Sequence, residues 1–511
     1  MPTTPAPARN GARTRTLLLV PIFALVALTC WSFASPLGAS PDDDFHLAST
    51  WCSLGDREGL CEPTGEPSSR LIPEQIAKAS ICYAYQPDVS AGCQEEYPAD
   101  EDAQMVFANR GNFGGLYPGV YYTVTGLLAS PNIEASAIAM RVLSAVIFLA
   151  LTTALYIALP LRRRATLAWA WLISLVPLGV FIIASNNPSS WAVIAGGSLW
   201  IALVGYFETS GKRRIALGAI AAIAAVLGAG ARADAAVYAA VAAVVAMVIT
   251  FERSRRWLMS TILPVALIVM AAAFYLSASQ GSLAAAGDAM ASGGADTNPL
   301  TLLAANTLNL PLLWVGVFGS WGLGWLDTAM PGVVSVGALL CFVVVAFAGL
   351  AFTSRRKNLA MLIVFGALIA FPSYVLWQAL AVVGAQVQPR YILPLIVMLA
   401  GVMLLAVGDR GLSLSLLQRN VIATILTIAH AIALHFNLRR YISGLDVGSW
   451  NLNEQLEWWW GGLSPMALWA IGAVAFGAMA FTLVRSVPLE QHLDPLRAPS
   501  LPASSKPTLR S

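Results

Sequence analysis

The stretch LLLVPIFALVALTCWSFASPL, Leu17 to Leu37, carries no charged side chain over 21 residues. A run of about 20 apolar residues in an α-helix is long enough to cross the hydrocarbon core of a bilayer. Arg9, Arg13 and Arg15 precede it and Asp42, Asp43 and Asp44 follow it, the asymmetry of a first span entering from a basic side. A signal peptide starts in the same way but has a shorter apolar region, so a retained anchor is the reading. Further apolar runs follow at 137–160, 166–184, 190–208, 214–230, 233–251, 257–277, 330–353, 358–380, 390–408, 420–438 and 464–484. The whole chain agrees with this pattern: 57% of its 511 residues are hydrophobic, 11% are charged and the mean hydropathy is +0.69. So little charge cannot coat a water-soluble globule of this size, and neither disorder nor a coiled coil fits the same figures. The expectation is an all-α polytopic membrane protein with about twelve transmembrane helices.

Basic residues mark every second connection: Arg162, Arg163 and Arg164; Lys212, Arg213 and Arg214; Arg253, Arg255 and Arg256; Arg355, Arg356 and Lys357; Arg410 and Arg419. The positive-inside rule puts these loops in the cytoplasm, and with them both termini. The chain then divides into a cytoplasmic N-terminus (1–16), the first helix (17–37), a large extracytoplasmic loop (38–136), a transmembrane body (137–484) and a cytoplasmic tail (485–511) that reads as disordered. The segment 300–326 is apolar but broken by Asn306, Asn309, Pro311 and glycines. Counting it as a span would put the Arg355 cluster outside, so it reads as re-entrant or interfacial. The outer segment 278–299 reads as a connection or lid. Charges gathered in short loops give no reason to expect a nucleic-acid partner; the partner implied by composition is the lipid bilayer.

The loop 38–136 holds more than half of the acidic residues and four of the six cysteines, Cys52, Cys61, Cys82 and Cys93. An even cysteine set in a loop placed outside by independent charge arguments reads as two disulfides. Of three connectivities, the sequence-local one, Cys52 with Cys61 and Cys82 with Cys93, is expected. Zinc is the other use of four cysteines, but the short C-x-x-C knuckles are missing.

At the start of this loop stands Ser40-Pro41-Asp42-Asp43-Asp44-Phe45-His46. With Pro41 in the first turn of a short helix, Asp42 and Asp43 lie four and three residues before His46 and share its face. Carboxylate and imidazole together suit a general base or a divalent metal, and they equally suit an acidic helix start on a wet surface. Metal is compatible with these residues but is not expected. Arg110, Arg141, Arg232, Arg390, Arg439 and Arg440 fall at the outer ends of spans, against the general trend. Some of these snorkel at the interface, as Arg439 and Arg440 beside Tyr441 would. Arg232, with Asp234 as partner in a very short turn, and Arg390, followed by Tyr391, have the character of phosphate ligands at the outer leaflet.

These elements resemble a polytopic glycosyltransferase of the GT-C superfamily, and in particular a bacterial membrane-protein family of unknown function within that class. Its first outer loop opens with P-D-E-x-x-H, which Pro41-Asp42-Asp43-Asp44-Phe45-His46 matches with Asp43 in place of the glutamate. A proline-tyrosine-tyrosine element is similar to Tyr117-Pro118-Gly119-Val120-Tyr121-Tyr122, and a following arginine to Arg141. An asparagine-proline turn is similar to Asn187-Pro188-Ser189, and R-Y-x-x-P to Arg390-Tyr391-Ile392-Leu393-Pro394. The disulfide-bearing insertion and the Asp234 turn stand outside that pattern.

The resemblance implies an enzyme of the plasma membrane that takes a sugar from a polyprenyl-phosphate donor. It delivers the sugar, with inversion, to a glycan or glycolipid acceptor on the extracytoplasmic side and requires no cofactor. Asp42 or Asp43 would be the general base and His46 would orient it or bind acceptor hydroxyls. Arg390 and Arg232 would contact the phosphate. Tyr391, Arg141 and Tyr121, on the matching elements, would join the substrate site. Outside the resemblance, Asp234 as the partner of Arg232 and Trp459 as a flat ring in the last outer loop are further candidates for it. Trp458, Trp459 and Trp460 are also what a headgroup aromatic belt contains. Two rival classes stay open. A secondary transporter commonly has this span count, though the second half does not repeat the first. A polymerase or ligase acting on lipid-linked polysaccharide would share the outer arginines.

Overall fold

The structure, a computed structural model, describes residues 17–96, 104–278, 298–385, 387–408 and 412–487. The expected cytoplasmic N-terminus 1–16 lies outside the described residues, as do nearly all of the connection 278–299 and of the tail 485–511.

Among the described residues, nine helices are long and apolar enough to cross a membrane: Ile133–Ala158, Ser189–Glu208, Ala233–Thr250, Arg255–Ser277, Pro299–Ser320, Gly332–Ala351, Arg355–Gln378, Leu416–Ile442 and Pro465–Ser486. Eight coincide with expected spans. The expected twelve are not reproduced by these criteria, for three reasons. The first and tenth expected spans are shorter helices, Leu19–Phe33 and Pro389–Leu404. The run 166–184 is two helices, Leu161–Ser174 and Leu178–Ile183, broken at Pro177. The run 214–230 is helical as Gly211–Ala229, but it starts within a basic cluster.

In chain order the helices are α1 (Leu19–Phe33), α2 (Asp43–Trp51), α3 (Glu74–Lys78), α4 (Val120–Gly126), α5 (Ile133–Ala158), α6 (Leu161–Ser174), α7 (Leu178–Ile183), α8 (Ser189–Glu208), α9 (Gly211–Ala229), α10 (Ala233–Thr250), α11 (Arg255–Ser277), α12 (Pro299–Val315), α13 (Gly332–Ala348), α14 (Arg355–Gln378), α15 (Pro389–Leu404), α16 (Leu416–Ile442) and α17 (Pro465–Ser486).

Polar contacts define two ends of the bundle. At the basic end, Arg163 clamps Glu208 with its Nε and Nη2, the latter at 2.6 Å, and Arg162 reaches the same carboxylate. There too Lys357 Nζ donates to the carbonyls of Gly349, Phe352 and Leu405, and Arg419 to that of Val484. The opposite, acidic end gathers the turn after α1, Asn187 between α7 and α8, Gly230 between α9 and α10, and the start of α15. The broken pair α6–α7 therefore runs from one end to the other. Segment α12 does not. Asn306 donates to the Ala381 carbonyl and accepts from the Val383 N–H, both just past α14, and Gly316 packs on Pro389. Its contacts hold it at the acidic end, and Leu300 and Leu308 are exposed.

Between α1 and α5 the chain builds a small subdomain. The disulfides are Cys52–Cys61 and Cys82–Cys93, the sequence-local pairing. The fold is mostly helical but not all-α, because Glu62–Pro63, Arg70–Pro73 and Met105–Ala108 form a three-stranded antiparallel sheet. Trp51, Ile72 and Ile76 pack with Ile133, Ala137 and Met140 of α5, which seats this subdomain on the bundle. Arg141, one turn further along α5, donates to the carbonyls of Ser32, Ser35 and Pro36. These are acceptors left free where α1 ends, so Arg141 caps that helix.

Candidate active site at the acidic end

Five side chains from separate segments hold the turn after α1 by four of its carbonyls. Tyr83 Oη donates to the Leu37 carbonyl, Trp325 Nε1 to Gly38, Tyr441 Oη to Ala39, and both Asn187 Nδ2 and Arg390 Nη1 to Pro41. Pro41 is not inside a helix, as the sequence suggested, but precedes it: α2 begins at Asp43. Asp42 stands between them with φ +62, in the left-handed region that costs an ordinary residue about 1–2 kcal/mol.

This kink separates adjacent carboxylates. Asp43 is fully buried and accepts from the Ser40 N–H at 3.1 Å and the Ser40 hydroxyl at 2.5 Å, while its own N–H donates to the Ser40 carbonyl. Asp42 points the other way and its side chain is 34% exposed. Arg390 Nη2 donates to one of its oxygens at 2.5 Å and Arg110 Nη2 to the other at 3.0 Å. Arg110 Nε also reaches Asp44 at 2.5 Å.

Charge follows placement. Burial pushes Asp42 up, but Arg390, His46 and Arg110 outweigh it and hold the carboxyl down at about 2. For Asp43 burial wins over Arg141 and Ser40, and its carboxyl is raised to about 6. His46, buried, is pushed well below the ordinary imidazole range despite Asp42 nearby, so it is neutral at physiological pH. Its Nδ1 lies 2.9 Å from Tyr122 Oη, and its buried Nε2 has no hydrogen-bond partner among the described residues.

Beside Asp42 and its two arginines sits a third guanidinium. Arg232 grips Asp234 through Nε (2.8 Å) and Nη2 (2.9 Å), and its Nη1 donates to Ser189 Oγ. The Tyr391 ring centroid lies 4.5 Å from Arg232 and 5.0 Å from Arg390, and the Tyr117 centroid 5.7 Å from Arg232. A small, mostly apolar cavity of about 10 Å³, with Pro41, Phe181, Gly316, Leu326 and Arg390 among its walls, lies behind the Pro41–Arg390 contact. Three guanidinium groups and one accessible carboxylate, in a partly desolvated setting, can hold an anionic group against a proton acceptor. Among the described residues no group of three or more His, Cys, Asp or Glu side chains is placed to hold a metal ion.

The family described as "Predicted membrane protein (DUF2142)" matches residues 25–399. The chain belongs to this family. The match to DUF2142 takes in every side chain of the Asp42 site, from α1 to α15, and leaves α16 and α17 outside. No curated protein and no solved structure matches the chain.

Of the residues singled out in this DUF2142 chain, the fold brings together Asp42, Asp43, His46, Arg232, Asp234, Arg390 and Tyr391. The others have their partners elsewhere, although Arg141 and Tyr121 lie near enough to Asp43 to feel its charge. Arg141 is committed to the end of α1, and Tyr121 is buried against Trp191 with ring centroids 5.1 Å apart. Trp459 donates its indole N–H to the Leu463 carbonyl within its own loop. The sequence reading passed over Arg110 as one more outer arginine. Its partner Asp42 is 68 residues away and no periodicity links them. An apolar cavity of 340 Å³ among α1, α5, α6 and α17 reaches toward the basic end and has none of these residues in its walls.

Proposed function

We propose that this chain is a GT-C-type glycosyltransferase of the plasma membrane, with the acidic end extracytoplasmic and both termini cytoplasmic. It transfers a sugar from a polyprenyl-phosphate donor to a glycan or glycolipid acceptor of the cell envelope. The observation that carries the reading is the Asp42 carboxylate, accessible and clasped between Arg390 and Arg110 with Arg232 alongside.

In the donor-free state Asp42 is a weak base, because two guanidinium groups stabilise its charge. An arriving phosphate offers Arg390 and Arg110 a better bidentate partner and releases the carboxylate. The acceptor hydroxyl oxygen then attacks the anomeric carbon and its proton passes to Asp42. The bond from that carbon to the phosphate oxygen breaks, and its electron pair stays on the phosphate beside the arginines. A positioned base contributes roughly 10²–10⁴ in rate and the fixed positive charge a comparable factor. His46, neutral with Nε2 unpartnered, pairs with an acceptor hydroxyl as donor or acceptor according to its tautomer. Asp43 shapes the turn.

The test is sugar transfer from a radiolabelled polyprenyl-phosphate donor in membranes carrying wild type or Asp42→Asn at matched insertion. Loss of product in the variant is expected. Full transfer by Asp42→Asn, or uptake of free sugar into sealed vesicles with no glycosidic product, refutes the assignment.

A further inference from the structure

Tyr85 is an exposed aromatic held where nothing in the packing requires one. Its side chain is 70% exposed, yet its backbone sits at φ +62, unfavourable for a bulky residue. Several contacts keep it there. Its N–H donates to Asp327 Oδ2, and that buried carboxylate is fixed by Arg440 at 2.8 Å. Arg440 also donates to the carbonyls of Tyr83 and Val89, the two arms of the Cys82–Cys93 loop that carries Tyr85. The Tyr85 ring meets Trp325 edge-on at 5.4 Å.

This perch overlooks the Asp42 site. Trp325 binds the turn at Gly38, and its neighbour Leu326 lines the small cavity beside Pro41 and Arg390. The Tyr85 phenol is close enough to feel the charges of Asp42, Arg110, Asp44 and Arg390. Past the same loop lies an open polar cavity of 650 Å³ whose walls include Asp88, Ser90, Asp446, Gln455 and Glu457. Carboxylates and an amide there accept hydrogen bonds from hydroxyl groups and repel anions.

Resting on the glycosyltransferase reading, we propose that Tyr85 is the platform on which an acceptor sugar ring stacks. The acceptor is a neutral, hydroxyl-rich glycan whose further units occupy the Asp88–Asp446–Glu457 cavity. A rigid tyrosine presents a flat apolar face at low entropic cost, which is what the C–H face of a sugar requires.

The experiment uses the full chain in lipid nanodiscs with alkyl glycosides of neutral mono- to tetrasaccharides. Tyr85→Ala is expected to raise acceptor KM about tenfold while leaving kcat and the slow transfer of donor sugar to water unchanged. Tyr85→Trp should restore KM. Asp446→Asn with Glu457→Gln should raise KM for the tetrasaccharide and not for the monosaccharide. Saturation-transfer NMR of the same glycosides reads binding without donor or turnover: contact with wild type and its loss in Tyr85→Ala are expected. No glycoside binding by wild type, or binding and KM untouched in Tyr85→Ala, overturns the platform. If the platform fails while Asp42→Asn still abolishes transfer, the glycosyltransferase reading stands alone; if Asp42→Asn transfers normally, that reading itself has failed.

Discussion

Exchanging the carboxylates of Asp42 and Asp43 separately should produce opposite phenotypes, although the residues are adjacent. In Asp42→Asn the base is gone, and transfer falls by roughly 10²–10⁴ per folded molecule. The Arg390 and Arg110 bonds weaken; Asp42 is a third exposed and solvent screens it, but Arg390 is buried and keeps only the asparagine oxygen as acceptor, so stability falls by about 1–2 kcal/mol. In Asp43→Ala the buried N–H and hydroxyl of Ser40 lose their acceptors. Each unsatisfied buried donor costs about 1–3 kcal/mol, for a total loss on the order of 2–6 kcal/mol. The chemistry of the molecules that remain folded changes less than tenfold. The assay pairs thermal unfolding in detergent with donor-dependent transfer normalised to folded protein. A stable but inactive Asp43→Ala beside an unstable but active Asp42→Asn would refute the division of roles.

Acid should separate the buried groups. Asp43, raised to about 6, favours folding below the unfolded carboxyl pKa near 4, and that advantage is lost as pH rises through 6. The melting temperature of wild type relative to Asp43→Asn is therefore expected to climb from pH 7 to pH 4.5. His46 is depressed, so its contribution is present above about 6.5 and is lost as pH falls; wild type relative to His46→Gln should decline over the same range. Arg232→Ala strands Asp234 in the interior and should cost about 3–5 kcal/mol, whereas Arg232→Met with Asp234→Leu should recover most of it in a thermal melt. Peptide mapping without reductant should find Cys52–Cys61 and Cys82–Cys93 linked and Cys30 and Cys341 as thiols. Removing either bridge, with sequence separations of 9 and 11 residues, should cost roughly 2–3 kcal/mol.

The membrane body was legible because long apolar runs have few alternatives to a spanning helix, and Ile133–Ala158 or Leu416–Ile442 needed nothing beyond their own composition. The failures have local causes. A single proline at 177 divides one apolar run, and the three short strands are too brief for a period of two to register. Segment α12 shows a different limit. With the turn that follows it, its length and composition are those of a spanning helix, and contacts distant in sequence, Asn306 with Ala381 and Val383 and Gly316 with Pro389, keep it at one end. The acidic motif was visible, but the distinction between Asp42 and Asp43 was not. It depends on a left-handed residue in a turn whose carbonyls are bound by side chains 46 to 402 residues distant in sequence.

The outer arginines make the same point about function. In sequence all are anomalies of one kind, basic groups at the acidic end. In the fold they sort by what their donors meet. Arg141 meets carbonyls at the end of α1, Arg439 meets carbonyls of the loop after α16, and Arg440 fastens the Cys82–Cys93 loop. For Arg141 and Arg439 a neutral carbonyl accepts without neutralising, so the guanidinium is structural. Arg440 does have a carboxylate partner, Asp327, but that side chain is buried and also bound by the Tyr85 N–H, so the pair is a structural tie. Arg110 and Arg390 instead meet the carboxylate of Asp42, an anion that another anion can replace. Arg232 has a dedicated counter-ion in Asp234 and turns its remaining field toward Tyr391 and Arg390. A phosphate would therefore be drawn to the Asp42 pair, where binding it sets free a carboxylate. That coupling of anion binding to base release is the physical content of the proposed reaction, and it resides in the two arginines that share Asp42.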